Sequence, residues 1–90
     1  MLAIVFASPL LSPQRPGAGN KILWVTDEPA GPGQPLVVTG RLENGDAVSH
    51  STVDGGPGPS YVDVPVAGCW LFDLSWGTHR DVIALPYAAP

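Results

Sequence analysis

The sequence predicts an all-β domain, a small antiparallel β-sandwich of about seven strands. Three observations predict it. Between Gly68 and Trp76 the apolar residues Trp70, Phe72, Leu74 and Trp76 alternate with Leu71, Asp73 and Ser75, the period of a strand with one face buried. Short apolar runs recur at the spacing of about ten residues expected of such folds, separated by Gly and Pro clusters. No window of about eleven residues keeps helical apolar spacing without an interrupting Pro or Gly.

The elements follow in order. Leu2–Ser8 is a continuous apolar run ending in a serine, which reads as a central strand buried on both faces. Pro9, Pro13, Pro16, Gly17 and Gly19 then predict a long loop without ladder pairing. Lys21–Thr26 (KILWVT) is a second strand, apolar on both faces, and Asp27 to Pro35 is an open connection rich in Pro and Gly. Leu36–Glu43 alternates cleanly, with Leu36, Val38, Gly40 and Leu42 on one face. It ends at Asn44-Gly45, a dipeptide suited to the positive φ angles of a type I′ turn. Ala47–Val53 should pair back across that turn, and its polar run Ser49-His50-Ser51-Thr52 suits a sheet edge. Tyr61–Val66 is a further strand, with Val62, Val64 and Val66 on one parity. Gly68–Trp76 and Asp81–Tyr87 close the chain as an antiparallel hairpin around Gly77-Thr78-His79-Arg80.

Composition narrows the function classes. Ninety residues with 44% hydrophobic content make one small globular domain, residues 1–90, with a thin stability margin. Met1 is compatible with a start inside a longer protein. Four basic residues, Arg15, Lys21, Arg41 and Arg80, stand singly against eight acidic ones. Nucleic acid needs a concentrated positive surface, and an anionic membrane does too, so both are disfavoured as partners. The apolar run after Met1 is too short for a transmembrane segment and lacks the basic start of a signal peptide.

No catalytic or metal constellation emerges. Cys69 is the single cysteine and reads as a small buried hydrophobe beside Trp70. It lies ten residues from His79, and Met1 is the one methionine, which does not fit a blue-copper ligand set. His50 and His79 belong to no close ligand pair of the zinc kind. Asp27, Glu28, Asp46, Asp54 and Asp63 lack the D-x-D-x-D spacing of a calcium loop and read as solvated turn residues. No G-x-S-x-G elbow is present. The expectation is therefore a chain that is not an enzyme and holds no cofactor.

Pro65-Val66-Ala67-Gly68-Cys69-Trp70, followed by an alternating strand, a Gly turn and a closing strand, resembles the late strands of immunoglobulin-like bacterial surface domains. The layout from Leu2 through Asn20–Val25 to Gly68–Trp70 resembles the C-terminal β-sandwich of uncharacterised bacterial extracytoplasmic proteins. The resemblance implies an immunoglobulin-like fold and a non-catalytic structural or partner-binding module, extracytoplasmic or on the cell surface. It brings no catalytic residue. The alternative is an accessory or regulatory segment of a ligand-binding or hydrolytic protein.

The candidate binding residues are Trp76, His79 and Arg80. They gather an aromatic ring, an imidazole and a guanidinium in one turn, and such groups stack on sugars and anchor protein partners. A protein or a carbohydrate is the expected partner. The competing expectation is that Trp76 caps the core while Arg80 pairs with Asp81.

Overall fold

The computed structural model describes residues 1–6, 8–14 and 19–90. Eight strands run in chain order: β1 (Leu2–Val5), β2 (Leu10–Leu11), β3 (Lys21–Val25), β4 (Leu36–Leu42), β5 (Val48–Val53), β6 (Pro59–Tyr61), β7 (Gly68–Trp76) and β8 (His79–Ala88). No helix occurs among the described residues, so none is long and apolar enough to cross a membrane. The strands form a three-stranded sheet, β1-β3-β6, and a five-stranded sheet, β2-β8-β7-β4-β5, which curls as a half-barrel.

One core lies between the sheets. The small sheet contributes Ile22 and Trp24; the large one contributes Leu36, Val38, Trp70, Phe72, Leu74, Trp76 and Tyr87. The inward parity of Gly68–Trp76 is as the sequence predicts, because alternation along a strand leaves a bulky ring no other dry surface. Phe72 is the centre of an aromatic cluster. Its ring centroid lies 6.4 Å from Trp24 in an edge-on arrangement, 6.5 Å from Trp70 and 6.2 Å from Tyr87. Opposite Phe72 in the register stands Gly40, buried in mid-strand. A β-carbon there would come within 2.8 Å of the Phe72 ring and closer still to Ser49 Oγ. Glycine at position 40 is what lets the ring lie flat on β4.

Several expectations are corrected. The first strand stops at Val5 and forms an edge, not a centre, with Leu2, Ile4 and Phe6 exposed; Ala7 lies outside the described residues. The predicted loop from Pro9 holds a short strand, β2, pairing parallel with β8 through Leu10↔Tyr87 and Leu11↔Ala88. The fold is therefore not wholly antiparallel. Arg15, Pro16 and Gly17 of that loop lie outside the described residues. At Asn44-Gly45 only Asn44 has positive φ, 61°. The Gly45 N–H donates to the Leu42 carbonyl, so positive φ falls on the third residue, as in a type II turn rather than type I′. Ala47–Val53 pairs from Val48 and is the sheet edge its polar run predicts.

Tyr61–Val66 is the most instructive departure. Only Pro59–Tyr61 joins a ladder, although Val62 and Val64 are buried as their parity predicts. Apart from a backbone bond from Val62 N–H to the Asn20 carbonyl (2.9 Å), residues 62–66 are attached by side chains instead. Tyr87 Oη donates to the Val62 carbonyl (2.6 Å), Ser12 Oγ to that of Val64 (2.7 Å) and Trp70 Nε1 to that of Val66 (2.9 Å). Alternate carbonyls of an extended segment point the same way, so two donors from the facing sheet and one just past β2 satisfy three alternate carbonyls. Asn20 adds a second clamp. Its amide oxygen accepts from Leu11 N–H and its amide nitrogen donates to Leu11 C=O, both at 2.8 Å, and it also donates to Asp63 Oδ1. The side chain thus replaces a neighbouring strand for β2.

Candidate functional site

The final hairpin is tighter than the sequence suggests. Trp76 pairs with His79, leaving a two-residue turn, Gly77-Thr78, in which Gly77 takes φ 61°. Positive φ at the first central residue is the type II′ requirement that glycine meets without strain. His79 and Arg80 are consequently strand residues, and adjacent strand residues point to opposite faces. The three candidate groups do not converge.

Trp76 is 3% exposed and faces inward. Its indole Nε1 donates to the Glu28 carbonyl at 2.6 Å. His79 lies on the same side, ring centroid 5.7 Å from that of Trp76, with Nδ1 2.7 Å from Glu28 Oε2. These contacts tie the β3–β4 connection to the end of the hairpin, and Trp76 closes the core there instead of offering an open ring. Trp24 and Trp70 are buried as well.

Arg80 goes to the outer face of the five-stranded sheet. There it borders a hollow of about 600 Å³ lined also by Thr39, Asp73, Leu74, Ser75, Asp81 and Val82. The register explains most of this set: Val37, Ser75 and Arg80 form one outward cross-strand row, His50, Thr39, Asp73 and Val82 the next, and the Leu74–Asp81 pair lies between them. The hollow presents a guanidinium, two carboxylates (Asp73, and Asp81 at its edge) and two hydroxyls around Val82, which is 54% exposed. Arg41 lies one row further on, 3.7 Å from Asp73, with both side chains more than half exposed. An exposed pair of this kind contributes only ~0–1 kcal/mol and leaves both groups free for a ligand.

Arg80 does not pair with Asp81. The Asp81 carboxylate accepts from the Met1 amine and from Val82 N–H, each at 2.8 Å, and these bonds hold it below the ordinary carboxylate range. Cys69 is not the buried hydrophobe expected. It is exposed on the outer face of β7, on the parity of Leu71 and Asp73, and its hydrogen bond to Glu43 pushes the thiol up. Among the described residues no three His, Cys, Asp or Glu side chains gather as metal ligands.

Thr39, Asp73, Ser75 and Val82 were not singled out by sequence reasoning. Their outward parity is visible along each strand; the register that puts them side by side is not. Compared with protein-family models, curated proteins and solved structures, the chain finds no match in any of the three.

Proposed function

We propose that this chain is a non-catalytic, immunoglobulin-like β-sandwich module that binds a protein partner on the outer face of its five-stranded sheet, around Arg80. The fold reading is supported by strand order. One sheet joins β1, β3 and β6, and the other joins β2, β8, β7, β4 and β5, a division of early and late strands between two sheets that supports an immunoglobulin-like reading. The extracytoplasmic bacterial setting rests on the sequence resemblance alone.

The observation that carries the binding reading is the hollow itself. Thr39, Asp73, Ser75, Arg80 and Val82 come from three neighbouring strands, so a rigid sheet holds them at small entropic cost on binding. A guanidinium and a carboxylate flanking an apolar floor suit a polypeptide, with charge setting orientation and Val82 supplying burial. A carbohydrate is less favoured, since all three tryptophans are committed to the core.

The test is selection of displayed random peptides on the immobilised domain, followed by amide shift mapping with the selected peptides. Shifts should concentrate at Thr39, Asp73, Ser75, Arg80 and Val82. Arg80→Ala should weaken binding at least ~10-fold while moving stability by no more than ~0.5 kcal/mol, the usual limit for an exposed site. Peptides that map elsewhere, or that bind Arg80→Ala and Asp73→Ala unchanged, refute the site.

A further inference from the structure

The small sheet poses a separate question. Leu2–Phe6 and Ile22–Val25 are continuous apolar runs, the pattern of strands buried on both faces. Among the described residues, the fold covers only one of those faces. Cross-strand pairing places Leu2 beside Val25, Ile4 beside Leu23 and Pro59, and Phe6 beside Lys21 and Tyr61, so these residues share the outer surface in three rows. Leu2 is 66% exposed, Ile4 48%, Phe6 54%, Val25 37% and Tyr61 62%. Lys21 is the one charged residue in the rows, and its ammonium lies 4.9 Å over the Phe6 ring.

We infer that this outer face of β1-β3-β6 is the interface of a two-fold symmetric homodimer. Area is the first argument. The five exposed side chains together present on the order of 500 Å², at the ~150–250 Å² that a whole large side chain can bury. Leu23, Pro59 and the Lys21 stem extend this toward the ~800 Å² that each partner brings to a stable complex. The largest apolar patch on a monomer typically spans ~300–600 Å² and is often functional, so the five side chains alone already reach the upper part of that range.

Charge is the second argument, and it selects a second copy as the occupant. The chain carries a net charge of −4, so most surfaces of two copies repel one another. The three rows contain no carboxylate. Two such faces therefore meet without juxtaposing like acids, and each Lys21 is already placed over its own Phe6 instead of being stranded between the sheets. The geometry is self-complementary: Ile4 and Leu23 form the middle row, so a two-fold axis through it sets the middle row of one copy against that of the other. Twisted sheets packed face to face at ~10 Å would interdigitate these side chains. This interface lies on the opposite sheet from the Arg80 hollow and leaves it open, so the two readings stand or fall separately.

Sedimentation equilibrium of the whole chain, from ~1 μM to ~1 mM, tests the inference across the range where a modest interface dissociates. The expected result is a reversible doubling of mass. Ile4→Lys and Leu2→Lys sit at exposed positions and should keep the wild-type circular dichroism. Each should weaken association ~100-fold or more, because every dimer then buries two unpaired ammonium groups. Val82→Lys, on the other sheet, should leave the mass doubling intact. A wild-type chain that stays monomeric over the whole range overturns the inference, and so does a dimer that survives both small-sheet variants or dissociates with Val82→Lys.

Discussion

Replacing Phe72 by alanine removes the ring at the centre of the core, and the structure lets the loss be worked out. The side chain is fully buried, so its transfer from water contributes about 1.5–3 kcal/mol. Its contacts with Trp24, Trp70 and Tyr87 add ~0.5–1.5 kcal/mol for each favourably oriented pair. Not all of these are lost independently, because the three remaining rings can relax toward the cavity. An expected loss of ~3–5 kcal/mol follows, the range found for buried aromatics. A domain of this length has a total stability of only ~5–13 kcal/mol, so the variant should be largely melted at moderate urea. Urea unfolding followed by tryptophan fluorescence is the assay. A companion cycle localises the effect. Gly40→Ala pushes a β-carbon against both Ser49 Oγ and the Phe72 ring and should cost ~1–3 kcal/mol by overpacking, part of it from each neighbour. In a Phe72→Ala background that cost should shrink, leaving a coupling above ~0.5 kcal/mol. A Phe72→Ala loss below ~1 kcal/mol, or strict additivity with Gly40→Ala, would refute the account of the core.

Two further predictions concern the side-chain clamps. Burial, and secondarily the negative charge of Asp63, raises the Tyr87 hydroxyl above its ordinary range. A raised value means stability present below the unfolded tyrosine pKa of ~10 and lost as pH climbs toward the folded value. Wild-type unfolding free energy should therefore fall above pH ~10 by up to ~1.4 kcal/mol per unit from this residue, and Tyr87→Phe should lose ~1–3 kcal/mol at neutral pH while shedding that alkaline slope. Equal slopes in the two proteins would contradict the buried hydroxyl. Asn20→Ala leaves both peptide groups of Leu11 without their partner and should cost ~2–3 kcal/mol. Amide exchange should accelerate first at Leu11 and Ser12; uniform acceleration across all strands would show that Asn20 does not act through β2.

What the sequence made legible was local. The β7–β8 hairpin, the inward set Trp70, Phe72, Leu74 and Trp76, and the polar edge at Ser49–Thr52 follow from period-two alternation, which needs no knowledge of other strands. The hairpin turn is shorter than the sequence suggests, because His79 and Arg80 have the polarity of loop residues while Gly77 alone meets the positive-φ requirement of a two-residue turn. The Val62 and Val64 parity was readable, yet their attachment was not. It depends on Tyr87, Ser12 and Trp70, which lie 25, 52 and 4 residues away from their acceptors. The candidate hollow was hidden for the same reason, since Thr39, Asp73 and Arg80 become neighbours only through register. The continuous apolarity of Leu2–Phe6 correctly marked an apolar strand but gave no indication of which face the fold would leave uncovered.

The attachment of residues 62–66 has a consequence for how the chain can vary. A laddered strand is held by peptide groups, which nearly every amino acid supplies, so its position survives most substitutions along either partner. Residues 62–66 are held by a phenol, a hydroxyl and an indole instead. Their place in the fold is therefore written largely at positions 12, 20, 70 and 87, outside the segment itself. Changes within 62–66 that keep the valines apolar and the Asp63 carboxylate in place should be well tolerated, while a single change at a donor outside the segment detaches one carbonyl at a time. Related chains, compared at these positions, would be expected to gain or lose the donors together with the segment's course.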